Sequence, residues 1–314
     1  MFPTNRLLLS LRKTAQSYLK RGITSKTAVT PEPNEESDTV VKNIVVSQTG
    51  PIRLFGLSRP QRKNALDSAT AQELAEALDE FDENEEMKIG IVHGIGGNFC
   101  SGFDLGEIAK SEGDSDRLPH FGALCTRMQL SKKPLIAAVT GYAIGAGFEL
   151  ALMCDLRILE QKSRMGFLNR RFGIPVMCGG TVRLPAMVGY SRAMDLILTG
   201  REISGEEAFN WGLGARLVAS GSALGQSISI AQSILKYPQG ALLADRTSMS
   251  YATFGGKPIE EALEFERDNA TDLLLDGGIK GAQRFVDGFG RHGKSTNITT
   301  NDRTSFRSLE DDVL

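Results

Sequence analysis

Apolar positions along the chain follow two rhythms, one after the other. Between residues 40 and 58, β-branched and small residues alternate as they would in a hairpin, and Asp67 then opens a stretch in which Leu74, Leu78 and Phe81 share one face of an amphipathic helix. Ile89 to His93, Leu135 to Val139 and Leu156 to Leu159 are short apolar runs that predict buried strands. A helix-like stretch lies between the first two, around residues 118 to 130. From Leu184 onward the period is helical: Met194, Leu196, Ile197 and Leu198 come first. Ser204 and Glu207 follow at the S-x-x-E spacing of a capping box. Strands early and helices late predict an α/β body with one core and a helical extension.

The ends differ from this body. Residues 1–31 carry Arg6, Arg12, Lys13, Lys20, Arg21 and Lys26 and no acid, mixed with Leu7, Leu8, Leu9, Leu11, Tyr18 and Leu19. That is the composition of a mitochondrial import segment, and Arg12 and Lys13 break the apolar run too early for a secretory signal. Residues 32–41 are a Pro/Glu-rich linker, and residues 293–314 are a polar tail with too little apolar surface to order itself. The net charge of −2 therefore hides a basic leader on an acidic body, which offers no electrostatic footprint for nucleic acid. Cys100, Cys125, Cys154 and Cys178 are widely spaced without a C-x-x-C pair, so reduced, mostly buried thiols are expected. His93, His120 and His292 have no metal-ligand spacing, and no metal site is expected.

Chemistry concentrates in the apolar run from Pro134 to Asp155, which holds Gly141, Gly145 and Gly147 and a single carboxylate, Glu149. A membrane span would bear that mid-run acid at high cost, so no span is expected. In a soluble core the acid must be paired, hydrogen-bonded or protonated, which makes it a candidate acid or base; spacing alone also allows it to point to solvent. Gly145-Ala-Gly147 after a strand places small residues at a helix N-terminus, where free N–H groups attract negative charge. The loop from Gly94 to Asp104 also follows a strand and offers backbone N–H groups. Its Gly94-x-Gly96 lacks the third glycine of a dinucleotide fingerprint.

Taken together, these stretches resemble a known family. Asn98-Phe-Cys-Ser-Gly-Phe-Asp-Leu105 is similar to the first oxyanion loop of the crotonase (enoyl-CoA hydratase/isomerase) superfamily, and Gly141-Tyr-Ala-Ile-Gly-Ala-Gly-Phe-Glu-Leu-Ala-Leu-Met-Cys-Asp155 to its second. Arg59-Pro60 with Lys63-Asn64-Ala65-Leu66 resembles its coenzyme A-binding signature. Gly166, Gly173, Pro175, Gly179-Gly180-Thr181, Arg183-Leu184-Pro185 and Gly189 continue the likeness, which covers about residues 42 to 290. The resemblance implies a ββα spiral over residues 42–210 and a C-terminal helical trimerisation region over 211–292. It implies an acyl-CoA substrate, a homotrimer or hexamer, and no cofactor beyond the coenzyme A of the substrate.

By the same resemblance the backbone N–H groups of Ser101 and Ala146 form the oxyanion hole and Glu149 moves the proton. Lys63, Ala65, Ser101 and Asp104 bind coenzyme A, and Phe103 and Asn169 face the substrate pocket. The family's second glutamate would stand at Asn169, where this chain has no carboxylate. The expected activity is an enoyl-CoA hydratase-like one in the mitochondrial matrix, in fatty-acid or related acyl-CoA metabolism. Isomerisation, decarboxylation or another cleavage by a single glutamate, and a non-catalytic acyl-CoA-binding homologue, are the alternatives. Arg170 and Arg171 could meet an acidic acyl group, or could be a solvated or subunit-contact charge cluster.

Overall fold

The alternating head of the body forms the hairpin that its pattern predicts: β1 (Ile44–Thr49) and β2 (Ile52–Leu57) pair antiparallel, with Thr49 opposite Ile52 across the turn. A computed structural model describes residues 42–289 except 118 and 120. The expected import segment, linker and tail lie outside the described residues.

Asp67 caps α1 (Ser68–Glu83) by accepting from the Thr70 N–H at 2.8 Å, and Leu74, Leu78 and Phe81 form its buried face. β3 (Ile89–Gly94), α2 (Leu105–Ala109) and α3 (Gly122–Cys125) follow. Among its described residues, the helix-like stretch around residues 118 to 130 yields only the single turn α3. Tertiary bonds hold the rest in loop geometry: Arg127 grips both oxygens of Asp79 on α1, at 2.7 and 2.8 Å, and its guanidinium also reaches the Leu130 carbonyl.

The apolar run from Pro134 divides into β4 (Leu135–Val139), β5 (Tyr142–Ile144) and α4 (Ala146–Met153). No helix among the described residues is long and apolar enough to cross a membrane. Then come β6 (Leu156–Glu160), β7 (Arg164–Gly166), α5 (Gly180–Val188), α6 (Tyr190–Thr199), β8 (Glu202–Ser204) and α7 (Gly205–Asn210). Ser204 caps α7, accepting from the Glu207 N–H at 3.1 Å. The reciprocal half of the capping box is absent because the Glu207 carboxylate pairs with Arg201 at 2.8 Å instead. β9 (Arg216–Val218), α8 (Ala223–Ile234), α9 (Gln239–Phe254), α10 (Ile259–Leu273) and α11 (Ile279–Val286) complete the described chain.

Six strands form a mixed sheet in the order β1-β2-β3-β4-β6-β9, parallel everywhere except β1 against β2. β5, β7 and β8 form a second, smaller sheet. Side chains alternate across the large sheet: Ile52, Ile91, Ile136 and Ile158 pack with Ala223 and Ala231 of α8, whereas Phe55, Val92, Ala137 and Leu159 face the larger core that holds α1 and α4. Covering both faces explains why the strands read as unbroken apolar runs. The sheet also extends beyond its expected limit at residue 210, since β9 lies in the segment expected to be helical and pairs with β6. Three residues are too short for their own pattern to reveal a strand; a neighbour's free edge decides it.

Candidate active site

Two glycine-rich segments converge where the large sheet hands the chain to α4. The Phe99 N–H donates to the Thr140 carbonyl (2.8 Å), Cys100 N–H to Tyr142 (2.8 Å) and Ile144 N–H to Cys100 (2.9 Å), lacing the first loop onto β5. Glycine makes the approach possible: a side chain at Gly147 would place its Cβ 2.2 Å from the Cys100 carbonyl oxygen. Gly102, at φ +99°, would bring one 2.8 Å from the Ile144 carbonyl oxygen.

The two expected oxyanion donors both line a cavity of about 70 Å³, together with Phe103, Gly145 and Asn169. Their states differ. Ala146 is the first residue of α4, so its N–H precedes the intrahelical ladder and sits at the positive end of the helix dipole. The Ser101 N–H donates to the Lys63 carbonyl at 3.0 Å. A thioester oxygen can use it only by sharing or displacing that carbonyl, which belongs to a residue in left-handed conformation (φ 49°).

The expected coenzyme A-binding residues are divided. Lys63 meets Ser101 through its carbonyl, with its ammonium 4.7 Å from the centre of the Tyr142 ring. Ala65 accepts from Arg59 through its carbonyl (2.6 Å), and Asp104 is drawn into the same cluster. One nitrogen of Arg59 bridges Asp67 (2.9 Å) and Asp104 (3.0 Å), and Asp104 also caps α2 through the Gly106 N–H. The Arg59 pairing holds the Asp104 carboxyl below its ordinary range although burial opposes it. Asp104 thus ties the 98–105 loop to the 59–67 turn.

Glu149 is buried, with 1% of its surface exposed, so it is not a solvent-facing helix residue. It follows Ala146 by three positions and shares its face of α4. One carboxylate oxygen accepts from the N–H groups of Cys178 (2.6 Å) and Gly180 (2.9 Å) at the start of α5. Burial raises the Glu149 pKa above the ordinary carboxylate value, while the Gly180, Cys178 and Met177 N–H groups and the Arg183 charge pull it back. The side chain lines neither cavity directly. It sits behind Cys178, which with Ala146, Phe103 and Phe121 walls a second, apolar cavity of about 10 Å³, room for no more than one water.

Two features of this wall escaped sequence reasoning. Phe121 stacks on Phe103 with ring centres 4.0 Å apart. Cys125 and Cys178 form a disulfide, which corrects the expectation of reduced thiols for these two; Cys100 and Cys154 stay free and buried, each pushed up to about 12 by desolvation. A separation of 53 residues carries no pairing signal in sequence; only the fold brings the two sulfurs together. Arg183 braces the same junction, donating to the Cys178 carbonyl (3.1 Å) and to the Met128 carbonyl (2.7 Å). Arg170 turns away from the cavity to the Ile197 carbonyl of α6 (3.1 Å).

Comparison with known proteins agrees with this geometry. The family model described as enoyl-CoA hydratase/isomerase matches residues 48–288. The chain belongs to the crotonase superfamily. Carnitinyl-CoA dehydratase of Salmonella paratyphi A is 30% identical over 253 residues, which cover 78% of this chain and 96% of that one. The crystal structure of enoyl-CoA hydratase from Bacillus anthracis superposes with a TM-score of 0.73 at 30% identity, covering 78% of this chain and 96% of the other. That of Mycobacterium tuberculosis H37Rv gives 0.69 at 31% with the same coverage. The α/β crotonase fold, with mixed sheets and C-terminal helices, is thereby shown. Ser101, Ala146 and Asn169 share the wall of the larger cavity, and Glu149 is buried one turn of α4 beyond Ala146.

Proposed function

We propose that the chain is an enoyl-CoA hydratase-like enzyme that adds water across, or removes it to form, the α,β double bond of an acyl-CoA thioester. The buried Glu149 carboxylate carries this reading, one helical turn beyond an N–H that opens onto the cavity. Removing a proton α to a thioester leaves charge on the carbonyl oxygen, and preorganised N–H donors in a dry site stabilise it by several kcal/mol. Glu149 takes a proton from water as its oxygen joins the β-carbon and returns a proton to the α-carbon; dehydration runs the same steps backward. A raised pKa suits a group that must both give and take a proton near neutrality. The dehydratase and hydratase names of the relatives support the same class.

Asn169 favours a second reading, in which the single carboxylate shifts a double bond or protonates the enolate left by decarboxylation, because position 169 holds a carboxamide and not a second acid. A non-catalytic acyl-CoA binder is the third. The leader composition supports a mitochondrial matrix address, and exposed Ile259, Leu263, Leu274 and Leu275 around α10 support a homotrimer or hexamer.

The test is mass spectrometry of an acyl-CoA panel incubated with the wild type and with Glu149→Gln. Gain or loss of water is expected for the wild type, and the variant should lose about 10²- to 10⁴-fold in kcat while binding acyl-CoA within about twofold. Equal rates would remove Glu149 from the chemistry, loss of carbon dioxide would establish the second reading, and binding without turnover the third.

A further inference from the structure

The two halves of the Cys125–Cys178 bond stand on parts of the site that are held very differently. Cys178 is fixed at both ends of its backbone: its N–H donates to Glu149 at 2.6 Å and its carbonyl accepts from Arg183 at 3.1 Å. Cys125 ends α3, which is otherwise held toward the site by the apolar packing of Phe121 and Leu124 among the described residues. Just after Cys125 the chain is clamped again. Arg127 grips Asp79 of α1, Arg183 donates to the Met128 carbonyl (2.7 Å), and Arg246 of α9 donates to the Ser131 carbonyl (3.0 Å). α3 thus adjoins a fixed pivot, and the disulfide ties its moving end to the turn that holds Glu149. Both cysteines wall the smaller cavity beside Ala146, so the bond crosses the place where a thioester would need room.

We propose that the Cys125–Cys178 bond is a redox latch on the acyl-CoA site: oxidised, it holds α3 against the Glu149 turn and keeps the site closed; reduced, it lets α3 swing on the Arg127–Met128 pivot and admit the thioester. This rests on the acyl-CoA reading above for its ligand and adds a regulation to that site. The reductant is a dithiol. One of its thiolates attacks the Cys125 sulfur, since Cys125 is partly exposed whereas Cys178 is 5% exposed. The S–S bond breaks and its electron pair leaves on the Cys178 sulfur; the second thiolate of the dithiol then displaces Cys125 from the mixed disulfide. The dithiol ends as a disulfide, and the two electrons and two protons it lost leave Cys125 and Cys178 as thiols. Cys100 and Cys154 cannot reshuffle the bond, because both are buried and desolvation pushes each thiol up to about 12, leaving no thiolate to attack.

The experiment uses the full chain in two states, oxidised with glutathione disulfide and reduced with dithiothreitol, with the linkage checked by peptide mapping. A bond that does not form under oxidation overturns the proposal. Hydrogen exchange without ligand comes first: over residues 121–128 it should be about tenfold faster in the reduced chain, since a latched wall opens in no more than about a tenth of the molecules. Butyryl-CoA, which has no double bond to hydrate or shift, should then bind about tenfold more tightly to the reduced chain by calorimetry. Cys125→Ser should bind like the reduced wild type and ignore dithiothreitol; should it fail to fold, the two states of the wild type still decide. Equal exchange in both states overturns the latch whatever the ligand, and equal binding overturns it as a control on entry. Redox-dependent exchange with no binding by either state would overturn the acyl-CoA reading instead, and would still support a wall released by reduction.

Discussion

At the scale of the residue, Glu149 shows how one side chain is made both expensive and useful. Desolvation raises its pKa and three backbone N–H groups limit the rise, so its proton binds more tightly in the folded chain than in the unfolded one. The sign follows from linkage: this group favours folding most below its unfolded value near 4.5, and that contribution is lost as pH climbs through the higher folded value. One consequence can be measured. The acid limb of kcat/KM should fall at a pH above the ordinary glutamate range; a limb at about 4.5 or lower would contradict the burial. Glu149 itself was legible in sequence as the single acid in an apolar run. Its partners were not, because Cys178 and Gly180 lie 29 and 31 residues downstream and are brought to it only by the packing of α5 on α4.

Elements place these residues with little slack. The three hydrogen bonds lacing the first loop to β5 fix its distance from α4, and Gly147 keeps that distance short. Gly147→Ala should push the loop from the helix, costing about 1–3 kcal/mol by denaturant unfolding. Activity should fall more steeply than stability, since the proposed oxyanion donors, Ser101 and Ala146, stand on the two elements being separated. An alanine variant with wild-type kcat would mean that the loops tolerate separation. The Ser101 N–H, engaged by Lys63, shows the limit of motif reading: a glycine motif reports that a tight turn exists and not which carbonyl its amide meets. The Ser204 cap teaches the same at a helix start, where the local half of the box formed and a tertiary ion pair took the other half.

For the whole molecule, the site is closed more tightly than an acyl thioester requires, since pockets for ligands of that size usually exceed 300 Å³ and the two cavities here are about 70 and 10 Å³. Entry must move the wall formed by Phe103, Phe121 and the segment that the Cys125–Cys178 bond ties to the turn holding Glu149. Disulfides persist in oxidising compartments, so the state of this pair is checked directly. Peptide mapping without reductant should recover Cys125 linked to Cys178. Cys125→Ser should lower unfolding stability by up to about 4 kcal/mol, the loop-closure value for a separation of 53 residues. Identical denaturation midpoints with and without dithiothreitol would show that the bond contributes nothing.

The hairpin, strands β3, β4 and β6, the first helix and its cap, and the two glycine motifs were determined by sequence alone, because period, capping chemistry and positive-φ turns act over a few neighbouring residues. The short strands β5, β7, β8 and β9, the disulfide, the ion cluster of Arg59 and the occupied amide of Ser101 were decided only by tertiary structure. Each joins groups far apart along the chain or depends on which face of an element is covered, and no local pattern encodes a distance that only the folded core imposes.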